Sequence, residues 1–278
     1  MKIAIFGVGF LGRKLMEFFS NKFEVVGADI KSPNSSVVLL DATNEIEVEK
    51  FLTLERPSIV IDTIALSSYF VCENNIELCK QLNYDTAKNI TESCKKIKAK
   101  MFFISSSYVF DGEKGNYTET DLPNSKNEYA KSKIRAEKKV LELKNSIVIR
   151  SEPMYGYDQE KKQIKVGTNT FENDVKVGYP EILRKPIFIN DIPKAIDSLI
   201  ENNKKGIYNV AGQDKVKWIV FLKRLSLITN SEDKVKIVDN SNWLLKPPHD
   251  SSLDTSKIDS LGIKTTSLEI ALKELRNI

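Results

Sequence analysis

Histidine and cysteine are both scarce in this chain. Among 278 residues there are one histidine, His249, and three cysteines, Cys72, Cys79 and Cys94. A single histidine excludes mechanisms that need a histidine cluster and argues against Ser-His-Asp hydrolysis. Its position after two prolines predicts an exposed loop residue. Three cysteines without short paired spacings argue against a disulfide framework or a metal centre, and predict buried thiols in a reducing compartment.

Long apolar runs, repeats and low-complexity segments are also lacking. No stretch reaches the roughly 18 apolar residues of a membrane-spanning helix, and a predicted strand stands where a signal peptide would begin. We therefore expect a cytoplasmic protein with no membrane partner. The net charge is only +4, and the lysines are spread over helical stretches without forming a basic patch. Nucleic acid is therefore not an expected partner.

A regular alternation of apolar runs and amphipathic helical stretches occupies the first half of the chain. The apolar runs predict buried strands at 3–6, 25–28, 37–40, 59–64, 101–105 and 147–150. Strands that alternate with helices form parallel βαβ units with right-handed crossovers. The predicted fold class is therefore α/β, with a doubly wound parallel sheet.

The second half of the chain is less regular. Polar loops are expected at 158–165 and 246–252, whereas 187–189, the helix that follows, and 207–210 predict a partial return to the sheet. We therefore expect a dinucleotide-binding domain at 1–155, which residues 187–212 rejoin. Residues 156–186 and 213–278 are expected to form a smaller, interleaved substrate-binding lobe.

The first predicted strand leads directly into a glycine-rich loop and then into a helix. In this position, the spacing of Gly7, Gly9 and Gly12 is typical of the dinucleotide-binding loop of a Rossmann fold. The first glycine permits a tight turn, the second lets the backbone approach a pyrophosphate, and the third lets the helix pack on the strand. The N-terminus of the helix, with Phe10 and Leu11, supplies N–H donors to the phosphates. NADH or NADPH is therefore the expected cofactor.

Acidic and small residues follow the next predicted strands. Asp29 closes the second strand, where its carboxylate can bind the adenosine ribose hydroxyls and would repel a 2′-phosphate. NADH is therefore favoured, although Lys31 lies near enough in sequence to offset the repulsion. Asp41, with Ala42 beside it, is placed to receive the adenine amino group, and Ala65 is small enough to let the cofactor lie flat. For each of these residues, a turn or packing role is the alternative.

Tyr129 and Lys133 lie four residues apart at the start of a predicted helix, and therefore on one face of it. In such a pair the lysine lowers the phenol pKa and holds the nicotinamide ribose, while the phenol exchanges a proton with the substrate oxygen. Ser106 follows the strand at 101–105, at the carboxyl edge of the sheet where ligand sites form. We predict that Ser106 polarises the same substrate oxygen. A turn cap is its alternative role.

Three blocks of sequence, at 105–112, 117–121 and 129–133, resemble the dTDP-4-dehydrorhamnose reductase family of extended short-chain dehydrogenases/reductases. Further matches at 83–89, at Arg150 with 155–156, at 189–191, at 206–212 with Trp218, and at 252–257 extend the resemblance over nearly the whole chain. The resemblance implies reduction of the 4-keto group of a nucleotide sugar with NADPH or NADH, as in the synthesis of dTDP-L-rhamnose. The catalytic Ser/Thr, Tyr and Lys of the family fall on Ser106, Tyr129 and Lys133.

This sequence departs from the family on the substrate side. The usual Ser-Thr-Asp of the family is Ser105-Ser106-Ser107 here, and the usual Trp is Pro153. Substrate contacts are expected from Ser106, Ser107, Tyr129 and Pro153.

Two other functions stay open. One is a nucleotide-sugar epimerase or dehydratase. The other is a non-catalytic dinucleotide-binding subunit like the regulatory subunit of methionine adenosyltransferase, which resembles this family. A homodimer is a compatible assembly, although the sequence does not fix the oligomeric state.

Overall fold

The computed structural model describes residues 1–31, 35–167, 169–170, 174–177, 179–239 and 246–278. The strands of these residues are β1 (Lys2–Phe6), β2 (Glu24–Asp29), β3 (Val37–Leu39), β4 (Ile59–Asp62), β5 (Lys100–Ser106), β6 (Ile147–Ser151), β7 (Met154–Asp158), β8 (Gln163–Val166), β9 (Asn169–Thr170), β10 (Val175–Val177), β11 (Leu183–Arg184), β12 (Ile187–Phe188), β13 (Gly206–Val210), β14 (Val216–Lys217) and β15 (Val235–Ile237).

The α-helices of the same residues are α1 (Phe10–Ser20), α2 (Glu45–Glu55), α3 (Tyr69–Asn74), α4 (Ile76–Lys80), α5 (Thr86–Ile97), α6 (Glu128–Val140), α7 (Asp191–Glu201), α8 (Trp218–Ile228), α9 (Ser256–Asp259) and α10 (Leu268–Arg276). A π-helical turn at Gln81–Asp85 joins α4 to α5, and 3₁₀ turns lie at Ser107–Val109 and Glu232–Lys234.

Within the described residues, seven strands form one parallel sheet in the order β13-β6-β5-β4-β1-β2-β3. The strand order reverses between β1 and β4, which is where doubly wound folds bind ligands. The predicted doubly wound α/β fold is confirmed. All six strands predicted in the first half are present, with ends shifted by at most two residues.

Alternation of side chains along the strands creates two cores, one on each face of the sheet. Ile3 and Ile5 of β1 face α1 and α7, whereas Ala4 and Phe6 face α2 and the pair α5 and α6. The same alternation continues in β4, β5 and β6, so each of these strands is buried on both faces. This explains why the strands appear in the sequence as continuous apolar runs.

Of the two segments that were expected to rejoin the large sheet, 207–210 does so and 187–189 does not. β13 pairs with β6 as predicted for 207–210, but β12 pairs with β7 in a second sheet of order β12-β7-β8-β9. The chain leaves β6 through Glu152 and Pro153 and continues as β7, whose free edge receives the apolar segment at 187–189. There the Ile187 and Ile189 N–H groups donate to the Pro153 and Tyr155 carbonyls at 3.0 and 2.8 Å.

The segment 158–165 is likewise a hairpin and not a loop, since β7 and β8 pair antiparallel. Asp158 of this hairpin is buried and accepts two hydrogen bonds from Arg13 of α1 at 2.9 and 3.0 Å, whereas the turn at 159–162 is exposed. A third apolar cluster joins this second sheet and β10 to α8 and α10. The division into a dinucleotide-binding domain and an interleaved lobe stays a prediction.

No helix in the described part of the chain has the length and apolarity needed to cross a membrane. The same residues contain no group of three or more histidine, cysteine or acidic side chains that could hold a metal ion. The three cysteines are free and buried, as predicted, and His249 is exposed as predicted.

Candidate functional site

A cavity of about 470 Å³ lies at the carboxyl edge of the large sheet, and β8, β10 and α8 contribute to its wall. Seven of the predicted site residues line it, namely Phe10, Leu11, Ala65, Ser106, Tyr129, Lys133 and Pro153. Of the predicted residues, the described lining does not include Gly7, Gly9, Gly12, Asp29, Asp41, Ala42 and Ser107. Residues predicted from separate segments for catalysis and for cofactor binding therefore share one cavity.

Tyr129 stands in the first turn of α6, where the Ala130 N–H donates to the capping side chain of Asn127 at 2.8 Å. Burial raises the pKa of Tyr129 to about 12, although a hydrogen bond with Ser106 opposes the rise. Ser106 closes β5, and its Oγ also accepts the Tyr108 N–H at 3.1 Å. Ser106 thus caps a turn, which was its alternative role, and also contacts Tyr129; its polarisation of the substrate oxygen stays a prediction.

Lys133 follows one turn later on α6 and is 1% exposed. Its Nζ has no hydrogen-bond partner among the described residues, and lies 4.1 Å from the centre of the Phe103 ring. Burial lowers the pKa of Lys133 to about 8, against the attraction of the Asp62 and Glu137 carboxylates. The expected lowering of the Tyr129 pKa by Lys133 is not found here: burial of the phenol is the largest effect, and Lys133 is not among the groups that shift this pKa. An unpartnered ammonium in the lining of a cavity is suited to bind ligand hydroxyls.

Asp62, at the end of β4, is a residue of this region that was not predicted from the sequence. It is 1% exposed; one carboxylate oxygen accepts the Ile64 N–H at 2.9 Å, and the other has no partner among the described residues. Burial raises the pKa of Asp62 to about 6, while the charge of Lys133 lowers it. The sequence signal that could have identified Asp62 is a carboxylate within an otherwise apolar strand. In the structure, the Asp62 carboxylate favours the charged form of Lys133.

Asn83 connects the loop after β4 to α6. Its buried amide accepts the Leu66 N–H at 2.7 Å and donates to the Leu66 carbonyl at 3.2 Å and the Ser132 hydroxyl at 3.1 Å. Ser132 in turn donates to the Tyr129 carbonyl at 2.6 Å. The first turn of α6 and the loop that carries Ala65 are therefore held by one side chain.

The glycine loop has the geometry that its spacing predicts. Gly7 has a φ of +82°, which favours glycine, and a Cβ on Gly12 would lie 2.0 Å from the Gly7 carbonyl oxygen. A Cβ on Gly9 would meet nothing within 4 Å among the described residues. The loop therefore leaves open space above Gly9, next to the N-terminus of α1, where a pyrophosphate would bind.

The predicted adenosine-binding residues differ in their surroundings. Asp29 accepts the Val8 N–H at 2.6 Å and the Lys31 N–H at 3.0 Å, so it holds the glycine loop directly. Asp41 is exposed and accepts two hydrogen bonds from Thr43, whereas Ala42 is buried in the core on the α2 side. Their proposed contacts with adenine stay predictions.

The substrate side differs from expectation at one position. Ser107 is fully buried, and its hydroxyl accepts a hydrogen bond from Ser251 at 3.4 Å, away from the cavity lining. Pro153 lines the cavity as predicted, and so does its neighbour Glu152, which was missed. In the sequence, Glu152 is adjacent to the candidate Pro153, but it belongs to no recognisable motif that would single it out.

Comparison with known proteins gives one family and two kinds of relative. The family model described as the RmlD substrate binding domain matches residues 1–277. The chain is 27% identical to methionine adenosyltransferase 2 subunit beta of Bos taurus, over 96% of this chain and 84% of that protein. It is 26% identical to the spore coat polysaccharide biosynthesis protein SpsK of Bacillus subtilis, over 79% of this chain and 78% of that protein.

Solved structures are similar over nearly the whole chain. A hypothetical dTDP-4-dehydrorhamnose reductase from Sulfolobus tokodaii is 29% identical with a TM-score of 0.83, covering 97% of this chain and 98% of that one. The dTDP-4-dehydrorhamnose reductase of Bacillus anthracis, solved in complex with NADP, is 25% identical with a TM-score of 0.84, covering 99% and 98%. A UDP-glucose 4-epimerase from Thermotoga maritima, at 20% identity and a TM-score of 0.84, shares the fold.

Proposed function

Since the chain belongs to the family of the RmlD substrate binding domain, we propose that it is an NAD(P)H-dependent reductase of a 4-keto nucleotide sugar. The observation that carries the proposal is that Ser106, Tyr129 and Lys133 all line one cavity, together with Phe10 and Leu11 at the N-terminus of α1. The similarity to dTDP-4-dehydrorhamnose reductases, one of them solved with NADP, supports the same activity.

The cofactor proposal rests on two features of this chain. The open space above Gly9 can admit a pyrophosphate without displacing a side chain. The unpartnered Nζ of Lys133 can donate to the hydroxyls of the nicotinamide ribose. When bound, a reduced nicotinamide dinucleotide supplies the hydride.

Side chains of the protein then supply the proton and stabilise the developing negative charge. With its pKa raised to about 12, Tyr129 is protonated at neutral pH and is ready to donate. Its phenol passes the proton to the substrate oxygen, on which Ser106 holds the developing negative charge through a hydrogen bond. Lys133 stabilises the phenolate that is left, since opposite charges attract strongly in a buried site.

A non-catalytic role is the second candidate, because the similarity to methionine adenosyltransferase 2 subunit beta covers 96% of this chain. An epimerase or dehydratase that keeps its cofactor bound is the third, supported by the shared fold alone.

Oxidation of NADH and of NADPH should be followed with a panel of nucleotide sugars that includes dTDP-4-dehydrorhamnose, with Tyr129→Phe as the control protein. Oxidation by the wild type, lost in the control, supports a reductase. Sugar interconversion without net oxidation supports the third candidate. If the wild type converts no sugar at all but alters the activity of an added methionine adenosyltransferase catalytic subunit, the regulatory role replaces the proposal.

A further inference from the structure

Glu152 lies directly after β6 and lines the cavity. The residue before it, Ser151, pairs in register with Ser106 of β5. Adjacent strands lie about 4.8 Å apart, so Glu152 lies one residue beyond the position opposite a proposed catalytic group. It is thus part of the wall that a substrate bound at Ser106 would contact.

The carboxylate of Glu152 lacks the hydrogen bonds that a buried charge needs. The residue is 2% exposed, and neither oxygen has a hydrogen-bond partner among the described residues. Burial raises the pKa of Glu152 to about 7, although the positive charges of Arg184 and Lys185 lower it. Buried polar groups without protein partners are uncommon, and one that lines a cavity is available to bind a ligand.

Arg184 makes no hydrogen bond to Glu152 among the described residues: its two terminal nitrogens are engaged elsewhere, and its Nε has no hydrogen-bond partner there. One terminal nitrogen donates to the Leu183 carbonyl at 2.6 Å, and the other donates to the Pro248 carbonyl at 2.8 Å. The guanidinium also lies 5.1 Å from the ring centre of Tyr108, whose ring in turn packs edge-on against Tyr129 at 6.4 Å. Arg184 therefore stabilises the charge of Glu152 from a distance, and leaves its oxygens open to other donors.

We propose, building on the reductase function above, that Glu152 binds the sugar ring of the nucleotide sugar by accepting hydrogen bonds from its hydroxyl groups, and so determines which sugar is held at Tyr129. In the ionised form, which predominates above its pKa of about 7, the Glu152 carboxylate offers acceptors only, and these match hydroxyl donors. Neutral donors fit better than an ammonium group, because Arg184 and Lys185 already place positive charge beside Glu152. Glu152 is thus a specificity-determining residue in the wall of the cavity.

Calorimetric titration of non-reducible ligands tests this inference without requiring turnover. Dissociation constants of dTDP-glucose against dTDP, and of UDP-glucose against UDP, are measured with NAD⁺ present for wild type and Glu152→Gln. We expect the sugar to strengthen binding in the wild type. We expect the gain in affinity from the sugar to be about tenfold smaller in Glu152→Gln, since hydrogen bonds to a charged group are stronger than those to a neutral one. The affinity of the variant for the free nucleotide should be unchanged.

Two further variants separate sugar binding from folding. Asp197→Asn neutralises another buried carboxylate with an unpartnered oxygen, on α7 and outside the cavity lining, and should change neither titration. Glu152→Asp keeps the charge but withdraws it by one methylene, and should also reduce the gain from the sugar. It provides the measurement if Glu152→Gln does not fold.

Three results would overturn the inference. They are an equal gain from the sugar in wild type and variants, no gain in the wild type, and tighter binding of a dTDP-amino sugar than of dTDP-glucose through Glu152. The outcome is independent of the reductase assay. A protein that turns over no 4-keto sugar, yet loses sugar affinity in Glu152→Gln, refutes the proposed function and retains the role of Glu152.

Discussion

Arg150 and Glu137 form a buried ion pair behind the cavity, with Arg150 Nη2 donating to Glu137 Oε2 at 2.8 Å. Ser105 Oγ donates to the other carboxylate oxygen at 2.5 Å. Glu137 lies one turn after Lys133 on α6, whereas Arg150 lies on β6 and Ser105 on β5. This pair therefore fixes the helix that carries Tyr129 and Lys133 against the two strands that end at the cavity.

Removing one partner of this pair should destabilise the whole protein. Glu137→Ala leaves the Arg150 charge buried without a counterion, which typically costs about 3–5 kcal/mol. Urea unfolding of wild type and variant measures the loss. Glu142→Ala, which removes the exposed partner of Lys139, is the matched control and should change stability by less than about 0.5 kcal/mol. An equally small change in Glu137→Ala would show that the pair does not hold α6.

NADH should bind at least as well as NADPH if the Asp29 carboxylate occupies the position predicted for it, where it would repel a 2′-phosphate. Asp29→Ala should shift the preference toward NADPH, and should also weaken NADH by releasing the Val8 N–H that Asp29 now accepts. Fluorescence titration with both cofactors measures the ratio. A wild type that prefers NADPH by about tenfold, equivalent to about 1.4 kcal/mol, would contradict the role given to Asp29.

Two glycines of the loop should respond differently to a side chain. Gly9→Val points into open space, so the protein should fold normally and lose NADH binding through a clash with the pyrophosphate. Gly12→Ala brings a Cβ to 2.0 Å from the Gly7 carbonyl oxygen, so it should lower the thermal unfolding temperature. Circular dichroism and NADH titration separate the two effects. Unchanged NADH affinity in a folded Gly9→Val protein would mean that the loop has only a structural role.

Tyr129→Phe should lower turnover far more than it lowers binding. Proton transfer by a positioned group is worth on the order of 10² to 10⁴ in rate, whereas the phenol makes few ground-state contacts. Steady-state assays and NADH titration of the variant provide both numbers. Lys133→Met should instead weaken both, because it removes the ribose donor and the charge that stabilises the phenolate. Equal losses of binding in the two variants would contradict these separate roles.

NADH affinity should fall as the pH rises through the pKa of Lys133, about 8, since only the ammonium form is a cation that donates to the ribose. Its dissociation constant should increase about tenfold from pH 7 to pH 9 if the neutral amine does not bind. Lys133→Met should lack this increase. Asp62→Asn removes the carboxylate that favours the ammonium form, so its midpoint should move to lower pH. A midpoint unchanged in Asp62→Asn would show that Asp62 does not act on Lys133.

Prediction from the sequence succeeded where one strong local pattern fixes the structure. The six strands of the first half are buried on both faces, and the glycine loop needs a positive φ at Gly7, so both leave clear traces. The segment 187–189 was assigned to the wrong sheet because its apolar triplet would suit either edge. Asp62 and Glu152 were missed because their significance lies in burial and in absent partners, which only the folded chain shows.

Ser106 accepts the Tyr108 N–H through the same oxygen that would carry its proton toward a substrate. One acceptor position of the hydroxyl is therefore occupied before any ligand arrives, which restricts rotation about the Cβ–Oγ bond. A dipole oriented in advance does not have to reorient as negative charge develops on the substrate oxygen, so little reorganisation energy is added to the barrier. In the proposed mechanism, the turn at Ser107–Val109 would thus orient the Ser106 hydroxyl through the backbone N–H of Tyr108.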